Sequence, residues 1–181
     1  MYTQNYYDTI KYAACSSWGG STIPSITIKT NSGSAMPLQE ANLYYYSAIA
    51  GIPGRQTLLY TGQTATTQLT TVYLGFGLGT AAESIDDYKL ENLITSGLTL
   101  TTIAGNQNVT TGSFEATNRY TLSNTTSNSI TINEWGIFGM VPGNAVLLYR
   151  EVLTTPITIP ANDSVIINVI ISRTFEVAPT T

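Results

Sequence analysis

Histidine is absent from the 181-residue chain. Without it the chain cannot build the Ser-His-Asp or Cys-His catalytic arrangements, and it lacks the usual general base at neutral pH and the commonest transition-metal ligand. Cysteine occurs once, as Cys15, so no disulfide can form within the chain and no thiolate cluster can hold a metal. These absences argue against most enzyme classes, and we expect no cofactor.

Charged residues are also scarce. They make up 10% of the chain, against roughly 25% in ordinary soluble domains. Seven Lys and Arg residues against eleven Asp and Glu residues give a net charge of −4, and the basic residues are scattered singly along the sequence. A nucleic-acid-binding surface needs clustered basic residues to neutralise phosphates, so we expect no nucleic-acid partner.

Long apolar segments are missing as well. No apolar run reaches the roughly 18 residues of a membrane span. Residues 1–5 also lack the charged and apolar regions that begin a secretory signal. We therefore expect no membrane partner and a protein that is made and folded in a cytoplasm.

The residues that are present indicate a β protein. Hydrophobic residues make up 43% of the chain, and threonine, which suits the exposed face of a strand, fills many of the polar positions. Polar and apolar residues alternate with a period of two over 25–30 and 114–122. We predict an antiparallel β-sandwich over residues 23–175, of jelly-roll or immunoglobulin-like type, with at most one or two short helices and a tail at 176–181.

The aromatic residues are candidates for contact with other subunits, because Tyr and Trp commonly anchor interfaces. Residues 1–22 form either an aromatic-rich first strand or short helix packed on the core, or an arm that docks on a neighbouring subunit. The candidate interface residues are Tyr2, Tyr6, Tyr7, Tyr12 and Trp18 in this region, with Tyr44, Tyr45 and Tyr46 further along.

A glycine-rich run interrupts an apolar strand at Gly75, Gly77 and Gly79. It lacks the lysine of a Walker loop and the spacing of a dinucleotide-binding fingerprint, so it is not a convincing phosphate site. We interpret it as a bent or bulged strand. A second glycine-containing run, at residues 104–108, predicts a turn after the strand that starts at Leu98.

An acidic cluster follows the glycines. Asp86 and Asp87, with Glu83 and Glu91, could bind Ca²⁺, but they lack the ligand alternation of a calcium loop. A polar turn that caps a short helix beginning at Tyr88 and ending at residue 93 explains them better.

Glu134 is unusual because it alternates in phase with apolar residues of its strand. An unpaired buried carboxylate is costly, so we expect an ion pair with Arg150 or Arg119. The alternative is a catalytic acid in a capsule-degrading hydrolase, which would need a second carboxylate facing the same cleft.

Several stretches together resemble small structural proteins of tailed bacteriophages that serve as capsid decoration, head-fibre or other virion components. The likeness covers about residues 70–175 and is carried by Gly77-x-Gly79-Thr80, Asp86-Asp87-Tyr88-x-Leu90-Glu91, residues 132–138, residues 147–151, the Pro156 and Pro160 pair, and Asp163-Ser164-Val165. The resemblance implies a β-sandwich that is assembled in a host bacterial cytoplasm, and it implies no activity.

Two functions follow as expectations. The first is a non-enzymatic virion protein that binds and decorates or stabilises the capsid as a homo-oligomer, with the major capsid protein as its partner. The second is a tail, neck or receptor-binding component that contacts host surface glycans, for which Trp18 or Trp135 exposed in a groove would be evidence.

Overall fold

The computed structural model describes residues 1–8, 26–38, 71–110, 113–141 and 144–174. The strands in this part of the chain are β1 Ile26–Lys29, β2 Ala35–Leu38, β3 Thr71–Gly77, β4 Leu98–Thr110, β5 Ser113–Asn124, β6 Ile130–Val141, β7 Asn144–Ile159 and β8 Ser164–Thr174. They form three antiparallel sheets, in the orders β1-β2, β3-β6-β7 and β4-β5-β8. The predicted all-β class is confirmed, and the architecture is consistent with a sandwich-like fold.

Helix is nearly absent from the described residues. A single helical turn spans residues 4–8. In the described part of the chain, no helix has the length and hydrophobicity that crossing a membrane requires.

Two compact units contain these elements. The structure divides the chain into a first unit of Met1–Tyr46, Thr57–Ser96 and Thr131–Thr158, and a second unit of Ser47–Gln56, Gly97–Ile130 and Ile159–Thr181. The β1-β2 and β3-β6-β7 sheets belong to the first unit, and the β4-β5-β8 sheet belongs to the second. The domain boundaries predicted at residues 22 and 175 lie outside the described residues.

The core of the first unit lies on β7. Its residues Ala145, Val146, Leu147 and Leu148 are all buried, as expected for a continuous apolar run with both faces covered. Ala145 and Leu147 join Leu90 and Phe138 in one cluster, and the Phe138 ring stacks on Tyr73 at 5.1 Å between centroids. Burial of these side chains contributes apolar stabilisation to this unit.

Residues 1–8 pack on β7 of the same chain. The Thr3 N–H donates to the Leu148 carbonyl at 3.1 Å, and the Thr3 hydroxyl donates to the Leu147 carbonyl at 2.7 Å. Buried Asn5 donates to the Lys29 carbonyl and accepts from the Lys29 N–H, each at 2.7 Å. For these eight residues the structure agrees with the interpretation of a short helix packed on the core. Residues 9–22 lie outside the described residues.

Of the bent or bulged strand predicted at the β3 glycines, the bulge is not found, because β3 pairs with β6 from Thr71 to Gly77 without a register shift. The left-handed glycines of the described residues are Gly33 and Gly97. The β3 run instead allows close approach: a Cβ at Gly77 would lie 2.4 Å from Glu134 Oε1, and one at Gly79 would lie 2.5 Å from the same atom. A Cβ at Gly75 would meet the Phe138 ring at 2.6 Å.

The second unit is organised around β5, which pairs with β4 on one side and β8 on the other. Leu122 and Val169 are buried, and so is Asn124. The Asn124 amide donates to the carbonyls of Asn128, Ile159 and Pro160 at 2.7, 3.1 and 3.0 Å, so its buried polar atoms are satisfied.

The turn predicted at residues 104–108 is wrong. This segment continues β4, with Ala104 opposite Arg119 and Asn108 opposite Glu115, and only a register shift between Thr102 and Ala104 marks it. The neighbouring strand provides hydrogen bonds that override the local preference of glycine and asparagine for turns.

We predict that Gly77→Ala or Gly79→Ala lowers the free energy of unfolding by about 2–3 kcal/mol, because either Cβ would collide with the Glu134 carboxylate. Urea denaturation followed by tryptophan fluorescence measures this loss. Gly105→Ala is the matched control, since its nearest neighbour is the movable Asn118 side chain. Equal losses at positions 77, 79 and 105 would contradict the close-approach explanation.

Candidate functional site

The most distinctive site in the structure is the carboxylate of Glu134, which is fully buried. Its Oε2 accepts a hydrogen bond from Arg150 Nε at 2.9 Å, within a salt bridge between two buried side chains. Of the two partners proposed from the sequence, Arg150 is therefore the one found. Arg119 lies exposed on β5 in the second unit.

Backbone N–H groups complete the coordination of Glu134. They come from the loop between β3 and β4, residues 78–94, which we call the acidic loop. Oε1 accepts from Gly79 N at 3.1 Å and from Asn92 N at 2.9 Å, and Oε2 also accepts from Glu91 N at 3.2 Å. Four donors therefore surround one carboxylate, which offsets the cost of removing it from water.

Arg150 uses the rest of its guanidinium to hold the acidic loop. One terminal nitrogen donates to Asp87 Oδ2 at 2.8 Å, and the other donates to the Ala81 carbonyl at 3.0 Å. Burial alone would lower the pKa of Arg150, but its hydrogen bonds to Asp87 and Glu134 raise the pKa above its usual value. The planar, multiply donating guanidinium suits this role better than a lysine ammonium would.

The remaining acidic residues of the loop also bind backbone groups. Glu91 Oε2 accepts from Thr80 N at 2.8 Å and from Ala81 N at 2.9 Å, and these bonds lower the pKa of its carboxyl. Burial alone would raise the pKa of Glu83, but bonds from the Val152 N–H and the Met1 amino group lower it below the usual value. Glu91 therefore ties two parts of the loop together, and Glu83 fastens the loop to β7 and to Met1.

The short helix predicted from Tyr88 to residue 93 is wrong, since this segment consists of turns and an isolated bridge from Leu93 to Gly77. The Tyr88 ring lies under Lys29 Nζ, 3.9 Å from the ring centroid. Asp86 is exposed, and its N–H bonds to the Ser84 hydroxyl at 3.2 Å.

The calcium hypothesis has no geometric support in the acidic loop. Among the described residues, no group of three His, Cys, Asp or Glu side chains could hold a metal ion. Asp87 binds Arg150, Glu83 binds Val152 N, and Glu91 binds the N–H groups of the glycine-rich turn. The carboxylates therefore serve separate partners.

An aromatic cluster lies beside this network in the first unit. Tyr2 stacks on Tyr6 at 4.1 Å between centroids and meets Tyr149 edge-on at 5.2 Å, while Trp135 lies 5.1 Å from Tyr149. Tyr7 contacts Tyr6 and is 48% exposed. Burial, aided by the hydrogen bond to Glu151, strongly raises the pKa of Tyr149.

The predicted interface residues thus divide into two groups. Tyr2 and Tyr6 are half-buried in contacts within the chain, and Tyr7 presents its ring to solvent. The others fall outside the described residues and stay predictions: Tyr12, Trp18, Tyr44, Tyr45 and Tyr46.

An open groove of about 380 Å³ lies in the first unit between the helical turn, β1 and the acidic loop. Asp8, Lys29, Asp86 and Tyr88 are among the residues that line it. Trp135 is not among them, and Trp18, the other tryptophan expected in a glycan-binding groove, lies outside the described residues.

Comparison of the chain with protein-family models, with curated proteins and with solved structures finds no match.

We predict that Arg150→Met lowers the free energy of unfolding by about 3–5 kcal/mol, because Glu134 would keep its burial and lose its counter-charge. The double variant Glu134→Gln, Arg150→Met should recover part of this loss, since no unpaired charge is left inside. Urea denaturation measures both. Arg119→Met, at an exposed arginine, should change stability by less than about 0.5 kcal/mol. A similarly small effect at Arg150 would contradict the structural role.

We also predict acid sensitivity. The folded-state pKa values of Glu83 and Glu91 lie below the unfolded value of about 4.3, so the unfolded chain binds more protons in acid. Their stabilisation is complete above that pH and is lost as pH falls through the folded values. Urea denaturation as a function of pH should show this decline, and it should be shallower in the double variant Glu83→Gln, Glu91→Gln. Glu115→Gln, at an exposed site on β5, should leave the profile unchanged.

Proposed function

We propose that this chain is a non-enzymatic structural protein of a tailed-phage virion that binds and decorates or stabilises the capsid shell. The observation that carries the proposal is the state of Glu134, the acid best placed by its sequence position for catalysis. It is fully buried and bound by four donors. A general acid must reach its substrate, so this carboxylate is suited to holding the fold.

The other acids of the loop support the same interpretation. Asp87 shares Arg150 with Glu134, so the two acids are joined by a cation rather than separated by an open cleft. A glycosidase needs its two carboxyl groups on opposite sides of the scissile bond. The network instead fastens the acidic loop to β6 and β7.

The surface features support assembly with other proteins. Charged residues are few, and side chains such as Leu78, Ile85 and Tyr7 are exposed at 42%, 44% and 48% in the first unit. Apolar and aromatic side chains in solvent provide the burial that drives association between subunits. The proposed partners are the major capsid protein and further copies of this chain.

We predict that the purified protein co-sediments with empty capsids built from the major capsid protein of the phage that encodes it. Tyr7→Ala should weaken binding about tenfold, because this exposed ring would become buried at the contact. Ile103→Ala, at an equally exposed apolar residue on β4, is the matched control.

Other outcomes would overturn the proposal. Binding to bacterial surface glycans without binding to capsids would move the chain to the tail or receptor-binding class. Polysaccharide cleavage that is lost in Glu134→Gln would show that the protein is an enzyme.

A further inference from the structure

Strand β8 has an unusual edge. Among the strands that the structure describes, its one neighbour is β5, and its other side forms the margin of the β4-β5-β8 sheet. The pairing with β5 runs from Ser164 to Thr174 without a register shift. From Ser164 to residue 172 the strand has no charge and no proline, and most of it is β-branched. Free edges normally carry charges, prolines or bulges that prevent pairing with another chain.

Two of the other sheet margins in the described part of the chain, those of β4 and β7, do carry such protection. Strand β4 is interrupted by a bulge between Thr102 and Ala104. The first half of β7 bonds to residues 1–3, and Pro156 removes a donor from its second half. The contrast makes β8 better suited than β4 or β7 to accept a further strand.

The exposed side chains of β8 are arranged symmetrically. Ile166 and Ile170 are 54% and 59% exposed, the highest values among the exposed large hydrophobic residues of the described chain. Both lie on the same face as Asn168, because side chains alternate along a strand. Asn168 is midway between them.

We infer that β8 pairs antiparallel with β8 of a second copy of this chain across a two-fold axis through Asn168, which joins two three-stranded sheets into one of six strands. In this register Ile166 of each copy lies opposite Ile170 of the other, on one face. Opposed β-branched residues stabilise antiparallel pairs. The contact is isologous, as is usual for a dimer.

The charged residues that flank the apolar part of β8 favour the same partner, a second copy of this chain, and the same register. Asp163, immediately before β8, and Arg173, near its end, are each five residues from Asn168. The two-fold axis therefore places Asp163 of one copy opposite Arg173 of the other, twice. No other charged residue lies between them on β8, so no like charges meet. A strand that is complementary to itself in charge and in apolar pattern fits a second copy better than an unrelated partner.

This inference deepens the proposed function and rests on it only for its biological meaning, because the dimer itself is measured on the purified protein alone. Asn168→Cys in a Cys15→Ser background should give a disulfide-linked dimer under mild oxidation, since residue 168 faces itself. Thr101→Cys, exposed on β4, is the matched control and should remain monomeric on a non-reducing gel. Crosslinking at 101 and not at 168 would overturn the assignment to β8.

Charge swaps test the register. Ile166→Lys and Ile170→Glu should each weaken dimerisation at least about tenfold in sedimentation equilibrium, because each leaves a charge opposite an isoleucine. The double variant should recover dimerisation, since the new Lys and Glu lie opposite each other across the axis. Within one copy they are about 13 Å apart and cannot pair.

The outcomes separate the two proposals. Failure of the double variant to recover would overturn the register, and a wild-type protein that sediments as a monomer at its solubility limit would overturn the dimer. Wild-type protein that is monomeric yet co-sediments with capsids would leave the proposed function standing without this interface. Wild-type protein that dimerises but does not bind capsids would leave the β8 interface standing and overturn the proposed function.

Discussion

The first unit depends on the placement of one carboxylate where water cannot reach it. A buried charge is tolerated only when its surroundings supply a counter-charge and donors, and Glu134 receives both. The N–H donors come from the acidic loop and the counter-charge comes from Arg150 on β7. The need of the Glu134 carboxylate on β6 for these partners therefore determines the path of a loop that has little regular secondary structure. The site therefore stabilises the fold: the ion pair and hydrogen bonds of Glu134 hold the acidic loop, which has little regular secondary structure.

The glycines and the acids of this region serve the same arrangement. Gly77 and Gly79 leave room for the Glu134 carboxylate, and the Glu91 carboxylate accepts hydrogen bonds from the N–H groups of the turn that follows. The Arg150 guanidinium donates hydrogen bonds to the Asp87 carboxylate and to the Ala81 carbonyl of the loop. A charge-poor chain thus concentrates several of its ionisable residues on holding one loop in place.

The parts of this structure that could be predicted from sequence are those governed by periodicity. Alternation predicts the β class, and it also places Glu134 among apolar residues, which predicts an ion pair with Arg150 or Arg119; the structure shows that the partner is Arg150. The missed features depend on backbone groups of distant segments. The N–H donors of Gly79 and Asn92 have no signature in residue type, and the strand at residues 104–108 forms because β5 supplies its partners. Likewise, the segment after Tyr88 is not helical, because Glu134 binds the N–H groups of Glu91 and Asn92.

The contact between residues 1–8 and β7 has a consequence for synthesis. Thr3 bonds to Leu147 and Leu148, and the Met1 carbonyl accepts from the Arg150 N–H. On the ribosome Thr3 is made 144 residues before Leu147, so residues 1–3 cannot form these bonds until β7 has been synthesised. Contacts so distant in sequence slow folding. The N-terminal residues should therefore join the folded first unit only after β7 has left the ribosome.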